Sequence, residues 1–144
     1  MKKYQVLIIA AVNEQVERYQ NILKAAGLHP VGLELEGVSL ARVLSAEAKE
    51  PVLIVDIGTR STGFVVASRG AFKFGGQTDF SGGSLTQSIA SGLNISVHRA
   101  ETLKKLKGLG VSSGEQELST LMEPILDVIV NEARRVKENF ESTY

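Results

Sequence analysis

The chain has 144 residues, and its 16 Lys plus Arg exactly offset 16 Asp plus Glu, with no Cys. That length suits one compact domain or two small lobes, and the 43% apolar content excludes disorder as the main state. Zero net charge speaks against broad nucleic-acid binding, and the absence of Cys excludes a disulfide framework, a thiolate metal site and a Cys nucleophile.

Val6-Leu7-Ile8-Ile9-Ala10-Ala11 is a continuous apolar run rich in branched residues, the pattern of a strand buried on both faces. Asn13 then stands where a helix N-cap belongs, with Glu14 and Glu17 in the first turn. Val16, Tyr19, Ile22, Leu23 and Ala26 recur at helical spacing until Gly27 stops the helix. Pro30–Leu35 reads as a second strand, parallel or antiparallel to the first. A short helix carrying Val38, Leu40, Ala41, Val43 and Leu44 closes this first segment, residues 1–50, before Pro51. No apolar run is long enough to span a bilayer, and no small-residue cleavage site follows the N-terminal stretch. The expected compartment is the cytoplasm.

Residues 51–144 read as a second segment. Val52–Ile57 is again a buried-type strand, Gly58–Ser61 a turn, Thr62–Ala67 a strand, Ser68-Arg69-Gly70 a tight turn, and Ala71–Phe74 the start of a third strand. Three strands with short polar turns make an antiparallel meander. From Gly82 the character becomes helical: Leu85, Ile89 and Leu93 share a face, and Ser96 caps a helix running to Lys107. After the Gly108–Gly114 linker, Leu118, Leu121, Met122, Ile125, Ile129, Ala133, Val136 and Phe140 form a sustained apolar stripe. Pro124 either kinks that helix or marks its first turn. The fold class is α/β.

Three places carry candidate chemistry. Asp56-Ile57-Gly58-Thr59-Arg60-Ser61-Thr62 puts an acid at a strand end beside glycine and hydroxyls. Glycine lets backbone N–H groups approach a phosphate, and an acid holds hydrated magnesium; the ordinary alternative is a polar hairpin turn. Ser81-Gly82-Gly83-Ser84 opens a helix, where paired glycines would admit a ligand to the N–H groups and the positive dipole end, or simply supply a loop with positive φ. It is not a Walker loop, since Gly-Lys-Ser/Thr is missing. Glu101 and Lys104 share a helix face and would grip a sugar hydroxyl between acceptor and donor, or form a solvated ion pair. His29 and His98 stand apart with no second ligand at metal spacing. Arg134, Arg135 and Lys137 read as a solvated basic face.

In combination and order, these features resemble the second lobe of actin-like ATPases, with their ribonuclease H-like fold. Val55-Asp56-Ile57-Gly58, Gly82-Gly83-Ser84-Leu85-Thr86-Gln87-Ser88-Ile89-Ala90 and Ala100-Glu101-Thr102-Leu103-Lys104 are similar to the type IV pilus assembly protein PilM family, relatives of the division protein FtsA. Leu7–Leu44 is similar as well, through Ala26-Gly27-Leu28 and Glu36-Gly37-Val38-Ser39-Leu40-Ala41. The resemblance implies a nucleotide between two lobes, touched by two phosphate hairpins, of which Asp56–Thr62 is the second. The first, an Asp-x-Gly-Ser hairpin, has no counterpart here, nor has the family's last glycine loop. Gln77 stands about where many members carry an Arg. By position Glu36 matches the carboxylate that positions water in related ATPases, although Gly rather than Pro follows it; it is otherwise an ordinary helix-start acid.

The resemblance therefore implies a partial actin-like chain acting as an assembly scaffold. It implies ATP and Mg²⁺ as ligands, with Asp56 on the hydrated metal, Gly58, Thr59, Thr62, Gly82, Gly83 and Ser84 around phosphate, and Glu101 and Lys104 on ribose. It implies a partner, the short cytoplasmic tail of a PilN-like inner-membrane protein, holding the chain peripherally at the inner face of the bacterial inner membrane. ATP would act mainly to set the angle between lobes. Hydrolysis by this chain alone is not expected, because half of the phosphate would lack donors. Self-association is expected through unpaired strand edges, with exchange of the last helix across the linker as one route. The alternatives are a working ATPase and an FtsA-like division protein. The latter would usually end in a membrane-binding amphipathic helix, whereas the last helix here carries Glu123, Asp127, Glu132, Glu138 and Glu141.

Overall fold

The computed structural model describes residues 6–110 and 113–143, with the backbone alone for residues 113–115. It forms two compact units, Met1–Leu35 and Glu36–Tyr144. The helix that the sequence grouped with the first segment therefore joins the second unit.

In the first unit, helix α1 spans Asn13–Ala25. Its N-cap is Val12, with extended backbone and no side-chain hydrogen bond, so Asn13 is the first helical residue rather than the cap. The C-terminal end follows the sequence closely. Gly27 has φ +75°, its N–H donates to the Lys24 carbonyl at 3.0 Å, and the Leu28 N–H donates to the Leu23 carbonyl at 2.9 Å. This is a Schellman end, where glycine takes the left-handed backbone that a side chain would disfavour.

The two strands expected around α1 are corrected: neither Val6–Ala11 nor Pro30–Leu35 is paired among the described residues. Val6, Ile8 and Val31 are exposed instead of buried on both faces. Branched apolar residues favour the strand conformation, but a strand exists only when a neighbouring backbone supplies its ladder.

In the second unit, α2 (Glu36–Leu44) precedes the meander of β1 (Val52–Ile57), β2 (Thr62–Ser68) and β3 (Ala71–Thr78). The order is β1-β2-β3, antiparallel throughout, with Asp56 opposite Gly63 and Gly63 opposite Gln77. Arg69 and Gly70 both have positive φ, 52° and 74°, the signature of the two-residue turn whose twist suits a hairpin. The ladder slips by one residue between Val66 and Ala67. Ser45, fully buried, ties the end of α2 to this turn: its hydroxyl donates to the Ala41 carbonyl at 2.7 Å, and the Gly70 N–H donates to Ser45.

Alternation along the strands assigns one sheet face to each helical layer. Val65 and Ala67 pack with Ala41 of α2, together with Val52, Ile54 and Phe72. On the other face Phe64 and Val66 meet Ile129 and Val136 of α5, which spans Ser113–Thr143. The N-terminal half of α5 serves a second cluster: Leu118 and Met122 pack with Leu85, Ile89 and Ala90 of α3 (Gly82–Gly92) and Ala100 of α4 (Val97–Lys107). The apolar stripe of α5 is thus divided between the sheet and α3.

Pro124 lies well inside α5, which excludes the first-turn reading. Proline cannot donate to the preceding turn, which leaves the Thr120 carbonyl without its helical donor; one residue on, the Ser88 hydroxyl of α3 donates to the Leu121 carbonyl at 2.5 Å.

Strand β1 is also corrected. It is not buried on both faces but alternates between half-buried and exposed, with Leu53, Val55 and Ile57 between 37% and 47% exposed. Among the described residues β1 pairs on one edge only, and α5 lies mainly over β2 and β3.

Candidate functional site

The turn between β1 and β2 is the centre of the site. The Gly58 N–H closes it by donating to the Ser61 carbonyl at 3.0 Å. The start of α3 then docks on it, backbone to backbone: Gly82 N–H to the Gly58 carbonyl at 2.9 Å, Gly83 N–H to the Thr59 carbonyl at 3.0 Å. A Cβ on Gly83 would lie 2.4 Å from the Thr59 carbonyl oxygen, and one on Gly82 would lie 3.2 Å from that of Gly58. Glycine is required here because two main chains touch. Neither residue has positive φ, and neither amide remains for a ligand, which corrects the expectation of open N–H groups at this helix end.

The hydroxyls close the same junction. Ser81, the N-cap of α3, donates its hydroxyl to the Thr59 carbonyl at 2.9 Å and accepts from the Ser84 N–H at 3.3 Å. Ser84 accepts in return from the Ser81 N–H at 3.2 Å, completing a capping box. Thr62 is fully buried, and its hydroxyl donates to the Phe80 carbonyl at 2.7 Å. It anchors the approach to α3, which corrects its assignment as a phosphate contact.

These bonds engage more of the turn's acceptors than of its donors. Its Gly58, Thr59 and Ser61 carbonyls are all occupied, whereas the Thr59, Arg60 and Ser61 N–H groups have no acceptor among the described residues. Consecutive unpaired N–H groups form a positively polarised concavity suited to an anion.

A cleft lies on each side of the turn. The first, about 220 Å³, is lined by Glu36, Asp56, Gly58, Thr59, Arg60, Ser61, Gly63 and Gln77. Pairing across the sheet brings Asp56, Gly63 and Gln77 into one row, and the start of α2 adds Glu36. No hydrogen bond or ion pair engages the Glu36, Asp56 or Gln77 side chains among the described residues. The second cleft, about 300 Å³, is lined by Ile57, Gly58, Thr59, Gly82, Gly83, Glu101 and Lys104.

In the second cleft most polar capacity is already engaged. The Lys104 ammonium meets Glu101 Oε2 at 2.8 Å and donates to the Gly82 carbonyl at 2.8 Å and to Thr86 Oγ1 at 2.7 Å. Three N–H donors thus have three acceptors. Thr86 also lies within hydrogen-bond reach of Glu101 Oε2, while Lys105 meets Oε1 at 3.3 Å. Lys104 first, then Thr86, hold the Glu101 carboxyl down from 4.5 to about 2. Buried Thr86 was not legible as a site residue; the available signal was its position four residues after Gly82, on the helix face that α4 covers. The remaining polar candidates are peripheral. His29 and His98 are exposed, and Arg135 and Lys137 pair with Glu132 and Glu141 along α5.

Solved structures resemble this chain in fold. In a PilM–PilN type IV pilus biogenesis complex, one chain matches 90% of the present chain at 27% identity and a TM-score of 0.72. The ethanolamine utilization protein EutJ from Carboxydothermus hydrogenoformans matches 86% at 27% identity and a TM-score of 0.69. MreB5 of Spiroplasma citri, bound to AMPPNP, matches 90% at 20% identity and a TM-score of 0.73, a likeness of fold. The present chain spans 37%, 43% and 48% of those chains respectively. No curated protein matches it in sequence. The profile of the family described as type IV pilus assembly protein PilM matches residues 1–143. With an actin-like second unit and a match over nearly its whole length, the chain belongs to the PilM family of type IV pilus assembly proteins.

Proposed function

We propose that the chain is a nucleotide-responsive part of a type IV pilus assembly scaffold that binds ATP with Mg²⁺ around the Gly58–Ser61 turn. The observation that carries this reading is the turn itself, with three of its four carbonyls engaged, three N–H groups without an acceptor among the described residues and a cleft on each side. The N–H groups of Thr59, Arg60 and Ser61 face phosphate. Asp56 holds the metal through water, since Mg²⁺ keeps much of its hydration shell. Glu36, lining the same cleft, positions a water molecule. In the second cleft Glu101 Oε1, engaged among the described residues by Lys105 alone, accepts a ribose hydroxyl, while Lys104 keeps Glu101 ionised. Gly82, Gly83 and Ser84 contribute by holding the turn in shape.

The scaffold works in the cytoplasm at the inner face of the inner membrane, bound to the cytoplasmic tail of a PilN-like protein. The support for that partner is the PilM–PilN complex, whose PilM fold this chain shares. Nucleotide sets the relative disposition of lobes and so the affinity for the tail, the coupling being reciprocal. Turnover is not required. The edge of β1 that is unpaired among the described residues, with exposed Leu53, Val55 and Ile57 on the same strand, supports self-association through strand pairing.

Calorimetry with MgATP tests the reading. Binding is expected for the wild type and a loss of about tenfold or more for Asp56→Ala, whose fold is checked by circular dichroism. A peptide corresponding to a PilN-like tail is expected to bind with an affinity that changes when MgATP is added. Absence of nucleotide binding, or equal binding by well-folded Asp56→Ala, rejects the assignment of the site.

A further inference from the structure

Two successive peptides fix which way the Gly58–Ser61 turn faces. The Gly58 carbonyl accepts from the Gly82 N–H, and the Thr59 carbonyl accepts from the Gly83 N–H and the Ser81 hydroxyl. In a trans peptide the carbonyl and the N–H lie on opposite sides, and no described peptide bond is cis. With both carbonyls turned to the start of α3, the Thr59 and Arg60 N–H groups point away from it. The cleft that α3 does not line is the first, bordered by Glu36, Asp56, Arg60 and Gln77 among others.

A cation stands in the lining of each cleft, and the two differ in what they have left to give. In the second cleft the Lys104 ammonium meets Glu101, Gly82 and Thr86, which uses all its donors. In the first, the Arg60 side chain is exposed and has no hydrogen bond or ion pair among the described residues, although Glu36 and Asp56 line the same cleft. An arginine at a hairpin tip is ordinarily just solvated. Arg60 differs because the peptide before it is pinned to α3 while its own N–H is open. A phosphate seated on these N–H groups therefore has a guanidinium on the same residue.

The two kinds of donor differ in reach. A main-chain N–H serves only a phosphate in contact with the turn. A guanidinium on a flexible stem extends past that phosphate to the next one in a chain, and its planar fork suits two phosphate oxygens at once. A further phosphate also brings negative charge into a cleft already lined by the carboxylates of Glu36 and Asp56. Its entry depends on a cation there.

We propose that Arg60 makes the site selective for a nucleoside triphosphate over the diphosphate, its guanidinium holding the terminal phosphate beside the turn. This rests on the nucleotide reading proposed above and adds to it the discrimination between nucleotides.

Calorimetry with ATP and with ADP, at the same Mg²⁺ concentration, tests it. The wild type is expected to bind ATP more tightly than ADP by about tenfold or more. Arg60→Gln, which keeps the main-chain N–H, is expected to bring the two affinities within about threefold by weakening ATP and sparing ADP. Arg60→Lys keeps the charge without the fork and is expected to fall between. Thermal melts of both variants are expected close to wild type, because the side chain is exposed and engages nothing among the described residues. A wild type that binds ATP and ADP equally, an unchanged ratio in Arg60→Gln, or an equal loss of both nucleotides overturns the inference and leaves the nucleotide site standing. Failure of the wild type to bind either nucleotide rejects the site itself, and the inference with it.

Discussion

The two clefts share a wall, Gly58–Thr59, and differ in how much of their polar chemistry is already spent. Around Glu101 every Lys104 donor has an acceptor within the chain, so the network latches α4 to the start of α3. Around Asp56 the carboxylates and Gln77 engage nothing among the described residues. Polar groups that satisfy one another stabilise the fold, whereas unspent ones are available to a ligand. Changes on the Glu101 side should therefore register mainly in stability, and changes on the Asp56 side mainly in binding.

The scale of the stability effects is set by a position remote from both clefts. Ile129→Ala removes a buried side chain between α5 and the sheet and should cost about 2–5 kcal/mol in denaturant unfolding. A loss of a few tenths would mean that α5 does not hold the sheet. Gly83→Ala strikes the shared wall, placing a Cβ 2.4 Å from the Thr59 carbonyl oxygen. It should cost about 1–3 kcal/mol, as overpacking does, and weaken nucleotide binding as well. An unchanged melt would show that the junction yields without strain.

Lys104→Met should cost about 1 kcal/mol through its lost hydrogen bonds. The pH dependence sharpens this comparison. Because the folded-state value of Glu101 lies below its ordinary one, near 2 rather than 4.5, its contribution to stability is present above about pH 4.5. It is lost as pH falls from there toward 2. Glu101→Gln should therefore flatten that part of the acid unfolding profile, and an unaltered profile would remove the latch from the account of stability. The smallest stability effect belongs to Asp56→Ala, expected within about 0.5 kcal/mol of wild type. A large destabilisation there would erase the distinction between the clefts.

What the sequence conveyed about the site was which residues cluster, and less well what each one does. Asp56, Gly58 and Thr59 stand in one wall and Glu101 with Lys104 in another. Thr62, read as a ligand contact, is buried against the Phe80 carbonyl. The glycine pair, read as an open cradle, is closed by the carbonyls of Gly58 and Thr59. A hydroxyl or an N–H looks the same in sequence whether its partner is a ligand or a carbonyl eighteen or more residues away.

The sequence by itself determined the features whose hydrogen bonds close within a few residues. Gly27 ends α1, Ser96 accepts from the Arg99 N–H at the start of α4, and Arg69-Gly70 turns β2 into β3. Tertiary structure alone decided which apolar runs became strands. Val6–Ala11 and Val52–Ile57 read alike, yet among the described residues only the second is paired, on one edge, with Thr62–Ala67. Periodicity reports what a side chain prefers, whereas pairing depends on where a distant main chain is held, and that is set by packing of the whole unit.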